Sequence, residues 1–246
     1  MSRGLTGIVL KGYGARDFTL TLLSKREIAP HFTRLRFASA TLFQEIEWHP
    51  ATWLRFWFPD PAGKRRELQR AYTLVAAYPE QGQFEIDVLM HEPPGPATLW
   101  FMQAKPGDTI PSTFLGSRFR MPQPVPAGFL LVGDACSTPA INNIIAAVPA
   151  EAVLELYLES TSEHDVTIPL EAHPQLHVQR VPRSSARSLI EAIRRRERAG
   201  WYAWGAGEAG TMKLLHKALK EEHGFTKEAM HVQSYWAETP HTKGTR

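Results

Sequence analysis

Residues Arg70-Ala71-Tyr72-Thr73 combine a fixed cation, an aromatic ring and a hydroxyl within four positions. If residues 70–76 form a strand, Arg70 and Tyr72 point to the same face, because side chains alternate along a strand. That face then offers a guanidinium that can bind phosphate beside a ring that can stack on a flat group. A flavin dinucleotide needs both features, so this segment is the first candidate for a cofactor site.

A second segment, residues 91–100, could bind the phosphates of the same ligand. Gly95 permits close approach of the backbone, and Pro96 suits the first turn of a helix. Amide groups left free at that helix start would form an anion site, with the Thr98 hydroxyl beside them. The alternative is an ordinary Gly-Pro turn between a strand and a helix.

Two further segments are candidates for nucleotide binding. Residues 133–141 follow a short apolar run, as at the carboxyl end of a buried parallel strand, where ligands of open α/β sheets bind. Residues 205–210 match G-x-G-x-x-G, but too little chain follows for a further βαβ unit, so the full dinucleotide fingerprint is rejected. A strand-to-helix turn that lines a nucleotide site remains the prediction for them. Cys136 is expected to be a small packing residue.

The aromatic pair Tyr235-Trp236 follows the last predicted strand and has two interpretations. Either it anchors the end of the sheet, or one ring covers the flavin until nicotinamide or substrate displaces it. The sequence has no Gly-x-Ser-x-Gly or Walker motif and no Cys or His cluster. No metal cage, serine nucleophile elbow or Walker-type phosphate loop is therefore predicted.

The elements that must position these residues differ between the two halves of the chain. Apolar and polar residues alternate in 33–37, 53–58 and 84–91, with Pro- and Gly-containing turns between them. This pattern predicts a small antiparallel barrel. In the run 84–91, alternation places Asp87 on the face away from the core. The same face should carry Leu89 and His91.

The second half predicts a parallel sheet with helices on its faces. Strands are expected at 129–132, 153–158, 176–181, 201–204 and 231–234, and helices at 184–198 and 211–223. The basic run 194–198 is interpreted as the solvated face of the first of these helices. A Pro-rich linker separates the expected domains, which are residues 1–122 and 127–246.

Composition is that of a globular protein in a reducing compartment. The 246 residues are 43% hydrophobic and 22% charged, with a net charge of +3 and one cysteine. No apolar run could span a membrane, and residues 1–6 do not resemble a signal peptide. We expect a cytoplasmic monomer that does not bind nucleic acid. The basic net charge reflects either ordinary surface charge or a preference for anionic small molecules.

Taken together and in this order, these segments resemble the siderophore-interacting protein family, NAD(P)H-dependent ferric-siderophore reductases of the ferredoxin-reductase-like superfamily. The resemblance implies a six-stranded antiparallel Greek-key barrel that holds FAD, followed by a parallel-sheet α/β domain that binds the nicotinamide nucleotide. It also implies that NADH or NADPH reduces FAD and that FAD passes electrons to Fe(III) in an anionic siderophore.

The resemblance carries site residues over to matching positions. The residues expected around FAD are Arg70, Ala71, Tyr72, Thr73, Asp87, Leu89, His91, Gly95, Pro96, Ala97, Thr98 and Trp100. Those expected around the nicotinamide nucleotide are Asp134, Thr138, Glu208 and Ala209, and Trp236 is a further cofactor-binding candidate. The sequence departs from the family pattern at 135–138, where the usual carboxylate is missing.

Arg55 is the leading candidate for siderophore binding. Alternation sets it between Trp53 and Trp57 on one strand face, and the family commonly has a basic residue there. Weaker candidates are Arg118, Arg120, Lys243 and Arg246. A ferredoxin or flavodoxin reductase, a flavin- or siderophore-binding module without turnover, and a flavin-free Rossmann dehydrogenase are the alternatives.

The choice between NADPH and NADH is left open by the sequence. Arg180 and Arg183 follow a predicted strand and could meet a 2′-phosphate. Glu159 ends another strand and could instead bind a ribose diol.

Overall fold

The computed structural model describes residues 14–238, which form two compact units. The described part of the first unit comprises residues 14–121, 138–147 and 167–171. The second comprises residues 122–137, 148–166 and 172–238. The helix at 138–147 therefore groups with the first unit, although it lies in the second half of the sequence.

Six strands of the first unit close into an antiparallel barrel in the order β1-β2-β5-β4-β3-β6. They are β1 (Arg16–Ala29), β2 (Phe32–Ala38), β3 (Trp53–Pro59), β4 (Glu67–Tyr78), β5 (Gln83–Leu89) and β6 (Thr109–Phe114). Helix α1 (Leu42–Glu45) follows β2, and helix α2 (Pro96–Gln103) connects β5 to β6. The predicted six-stranded barrel is confirmed.

The barrel core consists of the apolar side chains that alternate along its strands. Phe84, Ile86 and Val88 of β5 are buried, as are Phe56 and Phe58 of β3. Each fully buried side chain of this size contributes about 1.5–3 kcal/mol relative to exposure. The intervening side chains point to the other face of the strands, where Trp57 and Asp87 are also buried.

The second unit contains a five-stranded parallel sheet in the order β11-β10-β7-β8-β9. Its strands are β7 (Gly128–Gly133), β8 (Val153–Ser160), β9 (Leu176–Pro182), β10 (Trp201–Glu208) and β11 (Met230–Trp236). The helices are α3 (Thr138–Ala147), which groups with the barrel unit, α4 (Ser188–Ala192) and α5 (Ala209–Glu221). All six residues of β7 are buried, as expected for the central strand of a parallel sheet.

Helix α3 is fastened to the barrel next to the Arg70–Thr73 motif. The side-chain amide of Asn143 donates to the carbonyl of Leu74 at 2.7 Å, and Asn143 is buried. Leu74 directly follows Thr73 on β4, so this bond fixes the backbone at the end of the motif.

The helix predicted over residues 184–198 is wrong in its extent, because only Ser188–Ala192 is helical. The side chain of Arg198 is fully buried and donates two hydrogen bonds to Glu155, at 2.7 and 3.2 Å. It also lies near the ring of Trp201. Residue 198 therefore faces inward, where its carboxylate partner compensates the buried charge, and is not part of a solvated helix face.

The interpretation of residues 205–210 as a turn is also wrong, because β10 extends to Glu208 and α5 begins at the next residue. Gly205 is needed for close packing: a Cβ there would lie 2.7 Å from the Leu215 side chain of α5. The glycines of this motif therefore bring a helix against a strand. Within residues 14–238, no helix is long and apolar enough to cross a bilayer.

Candidate functional site

Arg70 and Tyr72 lie on one face of β4, opposite Phe56 and Leu54 of β3 in the strand register. Arg70 is exposed, and its only hydrogen bond within the described residues goes to the neighbouring carbonyl of Gln69, at 2.7 Å. No carboxylate of residues 14–238 pairs with it. The guanidinium is therefore available for an external anion.

The Tyr72 ring is held by edge-on aromatic contacts. Its centroid lies 5.4 Å from that of Phe56, 6.3 Å from that of Phe58 and 5.3 Å from that of Phe101 in α2. Such edge-to-face contacts fix the plane of the ring. Tyr72 thus joins the motif on β4 to helix α2.

The start of α2 has the features of an anion site. Gly95 is the N-cap and has no side chain to satisfy the first amides, and Pro96 occupies the first turn. Leu99 N–H donates to the Gly95 carbonyl at 2.9 Å, so the amides of Ala97 and Thr98 precede the first intrahelical bond. These free donors and the helix dipole favour a phosphate.

His91 braces the loop that leads into α2. Its Nδ1 forms a 2.8 Å hydrogen bond with the Pro93 carbonyl. A Cβ added at Gly95 would lie 3.4 Å from the imidazole, so the ring lies directly against the glycine backbone. Trp100 packs on Phe58 with a centroid distance of 6.1 Å, which fixes the next turn of the helix.

Asp87 is already paired with Arg34, a residue that the sequence did not single out. Arg34 donates a bidentate pair of hydrogen bonds to the Asp87 carboxylate, at 2.6 and 2.8 Å. The hydrogen bond to Asp87 is the main reason why the pKa of Arg34 is raised. Cross-strand register between β2 and β5 brings them together, and only strand pairing reveals this partner. Leu89, at the end of β5, is partly buried.

Arg55 lies on the other face of the β3–β4 ladder, opposite Ala71, and Trp53 lies opposite Thr73. Its guanidinium lies 4.3 Å from the centroid of the Trp53 ring. Burial lowers the pKa of Arg55, and within residues 14–238 no carboxylate pairs with it. The motif therefore divides by parity. Arg70 and Tyr72 share one face, on which Tyr72 contacts Phe101 of α2, whereas Ala71 and Thr73 share the face of Arg55.

The other basic candidates for siderophore binding lie in the loop after β6 or outside the described residues. Arg118 is exposed, and Arg120 donates to the carbonyls of Ser117 and Phe119 at 2.7 and 2.9 Å. Ser117 in turn donates to the Ala51 carbonyl at 3.2 Å, which brings this loop beside the start of β3. Lys243 and Arg246 lie outside the described residues.

In the second unit, the carboxyl ends of the parallel strands carry a hydrogen-bonded network. Asp134, after β7, is buried and receives hydrogen bonds from Ser137 N at 3.0 Å and from Trp236 Nε1 at 2.7 Å. Burial raises the pKa of Asp134, against the opposing effect of these donors. A Cβ at Gly207 would lie 2.9 Å from Asp134 Oδ2, so a side chain there would force the carboxylate to shift.

Glu208 caps α5 by accepting a hydrogen bond from Thr211 N at 2.8 Å, and Ala209 is the first residue of that helix. Thr138 is buried at the start of α3. Cys136 is exposed, so the expectation of a packing residue was wrong: the turn directs its side chain outward while Asp134 and Ser137 bond to each other.

Arg183 and Glu159 form an ion pair with each other. The sequence had offered Arg183 as a contact for a 2′-phosphate and Glu159 as a contact for a ribose diol. Arg183 Nη1 lies 2.6 Å from Glu159 Oε2, and Nη2 lies 2.8 Å from Glu238 Oε1. Register places the end of β9 beside the end of β8, which brings the two side chains close together. Trp236 contributes its ring, 6.0 Å from the Arg183 guanidinium.

Comparison with known proteins identifies the class. A closed antiparallel barrel followed by a parallel α/β unit is the ferredoxin-reductase-like architecture, and solved ferredoxin reductases share it. The family model described as siderophore-interacting FAD-binding domain matches residues 60–113, and the model of the siderophore-interacting protein matches residues 126–239. The chain belongs to the siderophore-interacting protein family.

Individual relatives agree with this membership. The chain is 49% identical over 239 residues to the mycobactin import ATP-binding/permease protein IrtA of Mycolicibacterium smegmatis, which covers 97% of this chain and 28% of that protein. It is 23% identical to the ferric acinetobactin reductase of Acinetobacter baumannii, covering 88% of this chain and 77% of the relative. The solved siderophore-interacting protein from the latter organism superimposes with a TM-score of 0.79 at 20% identity, covering 91% of each chain. The chain thus spans little more than a quarter of the length of the IrtA relative.

Proposed function

We propose that this chain is an FAD-dependent ferric-siderophore reductase that passes electrons from a nicotinamide nucleotide, through FAD, to siderophore-bound Fe(III). The observation that carries the proposal is the state of Arg70. Its guanidinium is exposed, and no carboxylate of residues 14–238 pairs with it. It lies on the same strand face as Tyr72, whose ring contacts Phe101 of α2. No side chain caps the N-terminus of α2. A cation, a ring and free amides in one unit fit a flavin dinucleotide.

The residues of the first unit fit FAD by their chemistry. Arg70 and the amides at the start of α2 would bind the pyrophosphate, and Tyr72 would stack on the isoalloxazine. His91 would keep Gly95 in place so that the phosphates can approach the backbone. The further contacts proposed are Ala71, Thr73, Asp87, Leu89, Pro96, Ala97, Thr98 and Trp100.

The nicotinamide nucleotide is assigned to the carboxyl edge of the parallel sheet, where ligands of open α/β sheets bind. Asp134, Glu208 and Ala209 lie at strand ends or at the helix start of this unit. Thr138, the first residue of α3, is proposed as a further contact. Trp236 is hydrogen-bonded to Asp134, which favours its interpretation as an anchor of this edge.

Bound FAD would supply the conversion of a two-electron donor into single-electron transfers. One hydride carries two electrons, and each Fe(III) takes one, so one nucleotide reduces two ferric ions. This reaction requires no acid, base or nucleophile from the protein. The protein's tasks are to hold the flavin and to attract an anionic chelate.

Arg55 is proposed to bind that chelate, since it is a half-buried cation with an aromatic neighbour and no described acid partner. Arg118 and Arg246 are proposed as further contacts. Ferric mycobactin is the first substrate to test, because the relatives with 48–49% identity are named for mycobactin import. Ferric acinetobactin and ferric vibriobactin follow from the names of more distant relatives.

The decisive experiment is an anaerobic visible spectrum of the purified protein. We expect a flavin spectrum that NADH or NADPH bleaches, that ferric mycobactin restores, and that yields two Fe(II) per nucleotide in a ferrous trap. Protein without flavin, or flavin that neither nucleotide bleaches, contradicts the proposal. Bleached flavin that is reoxidised by ferredoxin or flavodoxin but not by any ferric chelate identifies an electron-transfer reductase instead.

A further inference from the structure

The carboxyl edge of β8 and β9 differs from a site built for a phosphate, because its positive groups already have negative partners. Arg183 is held between Glu159 and Glu238, at 2.6 and 2.8 Å, and also donates to Thr211 Oγ1 at 3.3 Å. Its side chain is largely buried. A charge-assisted pair of this kind leaves little donor capacity for an incoming phosphate.

The hydrogen-bond donors of the loop after β8 also have a negatively charged partner within the protein. The backbone amides of Thr161 and Ser162 form a concave pair of donors of the kind that binds phosphates. Both donate to Asp165 Oδ2, at 2.7 and 3.0 Å, and the Thr161 hydroxyl donates to the same atom at 3.2 Å. Asp165 is buried, so this carboxylate is a fixed part of the loop. Arg180 donates to the backbone carbonyl of Asp165 at 3.1 Å.

Glu159 adds an observation that points to a ligand. Its side chain is 2% exposed, and Oε2 binds Arg183, but Oε1 is buried without a hydrogen-bond partner among residues 14–238. Buried carboxylate oxygens normally accept a hydrogen bond. A ribose diol supplies such donors, whereas a 2′-phosphate would bring further negative charge to the same position.

We propose that the nucleotide used by this chain is NADH, and that Glu159, Asp165 and Glu238 exclude the 2′-phosphate of NADPH from the edge formed by β8 and β9. This inference rests on the proposed function, because it concerns the electron donor of the same reaction. It assigns a specificity-determining role to three carboxylates, all of which occupy donor groups that a phosphate would need.

The test compares binding and reduction in the FAD-loaded protein. Isothermal titration should show that ADP-ribose binds at least about tenfold more tightly than 2′-phospho-ADP-ribose. Anaerobic stopped-flow reduction of the flavin should show a similar preference for NADH over NADPH. Equal or tighter binding of the phosphorylated ligand, or faster reduction by NADPH at low concentration, would overturn the inference.

A mild variant tests the mechanism of exclusion. Glu238 is 63% exposed, so Glu238→Gln should fold normally while it weakens one of the two acid partners of Arg183. We expect this change to narrow the ratio of the two ADP-ribose affinities severalfold, by tighter binding of the phosphorylated form. Glu191→Gln, which alters an exposed ion pair with Arg187 on α4, is the matched control and should leave the ratio unchanged. An unchanged ratio in Glu238→Gln contradicts the proposed role.

The proposed function can be judged separately. FAD-loaded protein reduced by dithionite, with excess reductant removed, should reduce ferric mycobactin whichever nucleotide is preferred. If this step succeeds and NADPH proves the better donor, the function stands and the nucleotide inference fails. If this step fails, the proposed function is wrong, whatever the nucleotide preference.

Discussion

The indole of Trp236 donates a 2.7 Å hydrogen bond to Asp134 across the intervening strand β10. Glycine at residue 207, on β10, leaves room for this bond, because a side chain there would begin 2.9 Å from the carboxylate oxygen that Trp236 binds. Three strands therefore meet at one carboxylate. Trp236 and Gly207 therefore both help to form this edge of the sheet.

Replacement of Trp236 by Phe should destabilise the protein by about 1–3 kcal/mol, because the buried Asp134 loses a hydrogen-bond donor. Denaturant unfolding of the variant, of Asp134→Asn and of the double variant measures the coupling between the two side chains. If Trp236 is an anchor, the flavin spectrum and the rate of flavin reduction stay unchanged in folded protein. An altered flavin spectrum with unchanged stability would favour the alternative, in which the ring covers the flavin.

Replacement of Arg70 by Ala should cause loss of FAD, with the dissociation constant raised at least about tenfold, because a charge-assisted contact to the pyrophosphate disappears. Flavin content after purification and titration with free FAD measure the effect. Arg70→Lys keeps the charge but not the planar fork and should be intermediate. Arg26→Ala, at an exposed position of β1, is the control for charge alone. Full flavin content in Arg70→Ala would remove Arg70 from the site.

Replacement of Arg55 by Ala should raise KM for the ferric siderophore about three- to tenfold while flavin content stays the same. The reason is loss of attraction for an anion, so the difference from wild type should shrink as salt is added. Arg55→Lys should restore much of the affinity, and Arg65→Ala, at an exposed position, should have no effect. Unchanged KM in Arg55→Ala would exclude this residue from substrate binding.

Glu208 should make the stability of the second unit sensitive to acid. Burial acts to raise its pKa, but hydrogen bonds from the amides of Gly210, Thr211 and Glu238, with the Arg183 charge, lower it below the ordinary value of 4.5. A carboxylate with a lowered folded-state pKa stabilises the fold above pH 4.5, and this contribution is lost as the pH falls through the folded-state value.

Glu208→Ala should therefore cost about 1 kcal/mol at pH 7, as expected for loss of a helix cap, and progressively less in acid. Urea unfolding at pH 7, 5 and 3 checks the trend. Glu221→Ala, on the exposed face of the same helix, should change stability by less than about 0.5 kcal/mol at every pH. A constant cost of Glu208→Ala over this range would show that its charge does not matter.

The sequence predicted most of the architecture because alternation and turn residues are local signals. The β5 pattern gave the buried positions of Phe84, Ile86 and Val88, and the apolar run 129–132 gave the central strand of the parallel sheet. Local signals failed at Arg198, which is buried, although residues 194–197 are exposed as predicted. There the partner of Arg198 is Glu155, 43 residues earlier in the chain, and no periodicity within the segment could reveal it.

The same division applies to the candidate site. The types of residue that bind a flavin, and the parity that puts Arg70 beside Tyr72, follow from the sequence alone, since a strand alternates wherever it lies. Partners across strands were decided only by the tertiary structure: Arg34 for Asp87, Trp236 for Asp134, and Glu159 for Arg183. Strand order and register determine which distant charges meet. These ion pairs determine which of the basic residues named from the sequence are still available to bind a ligand.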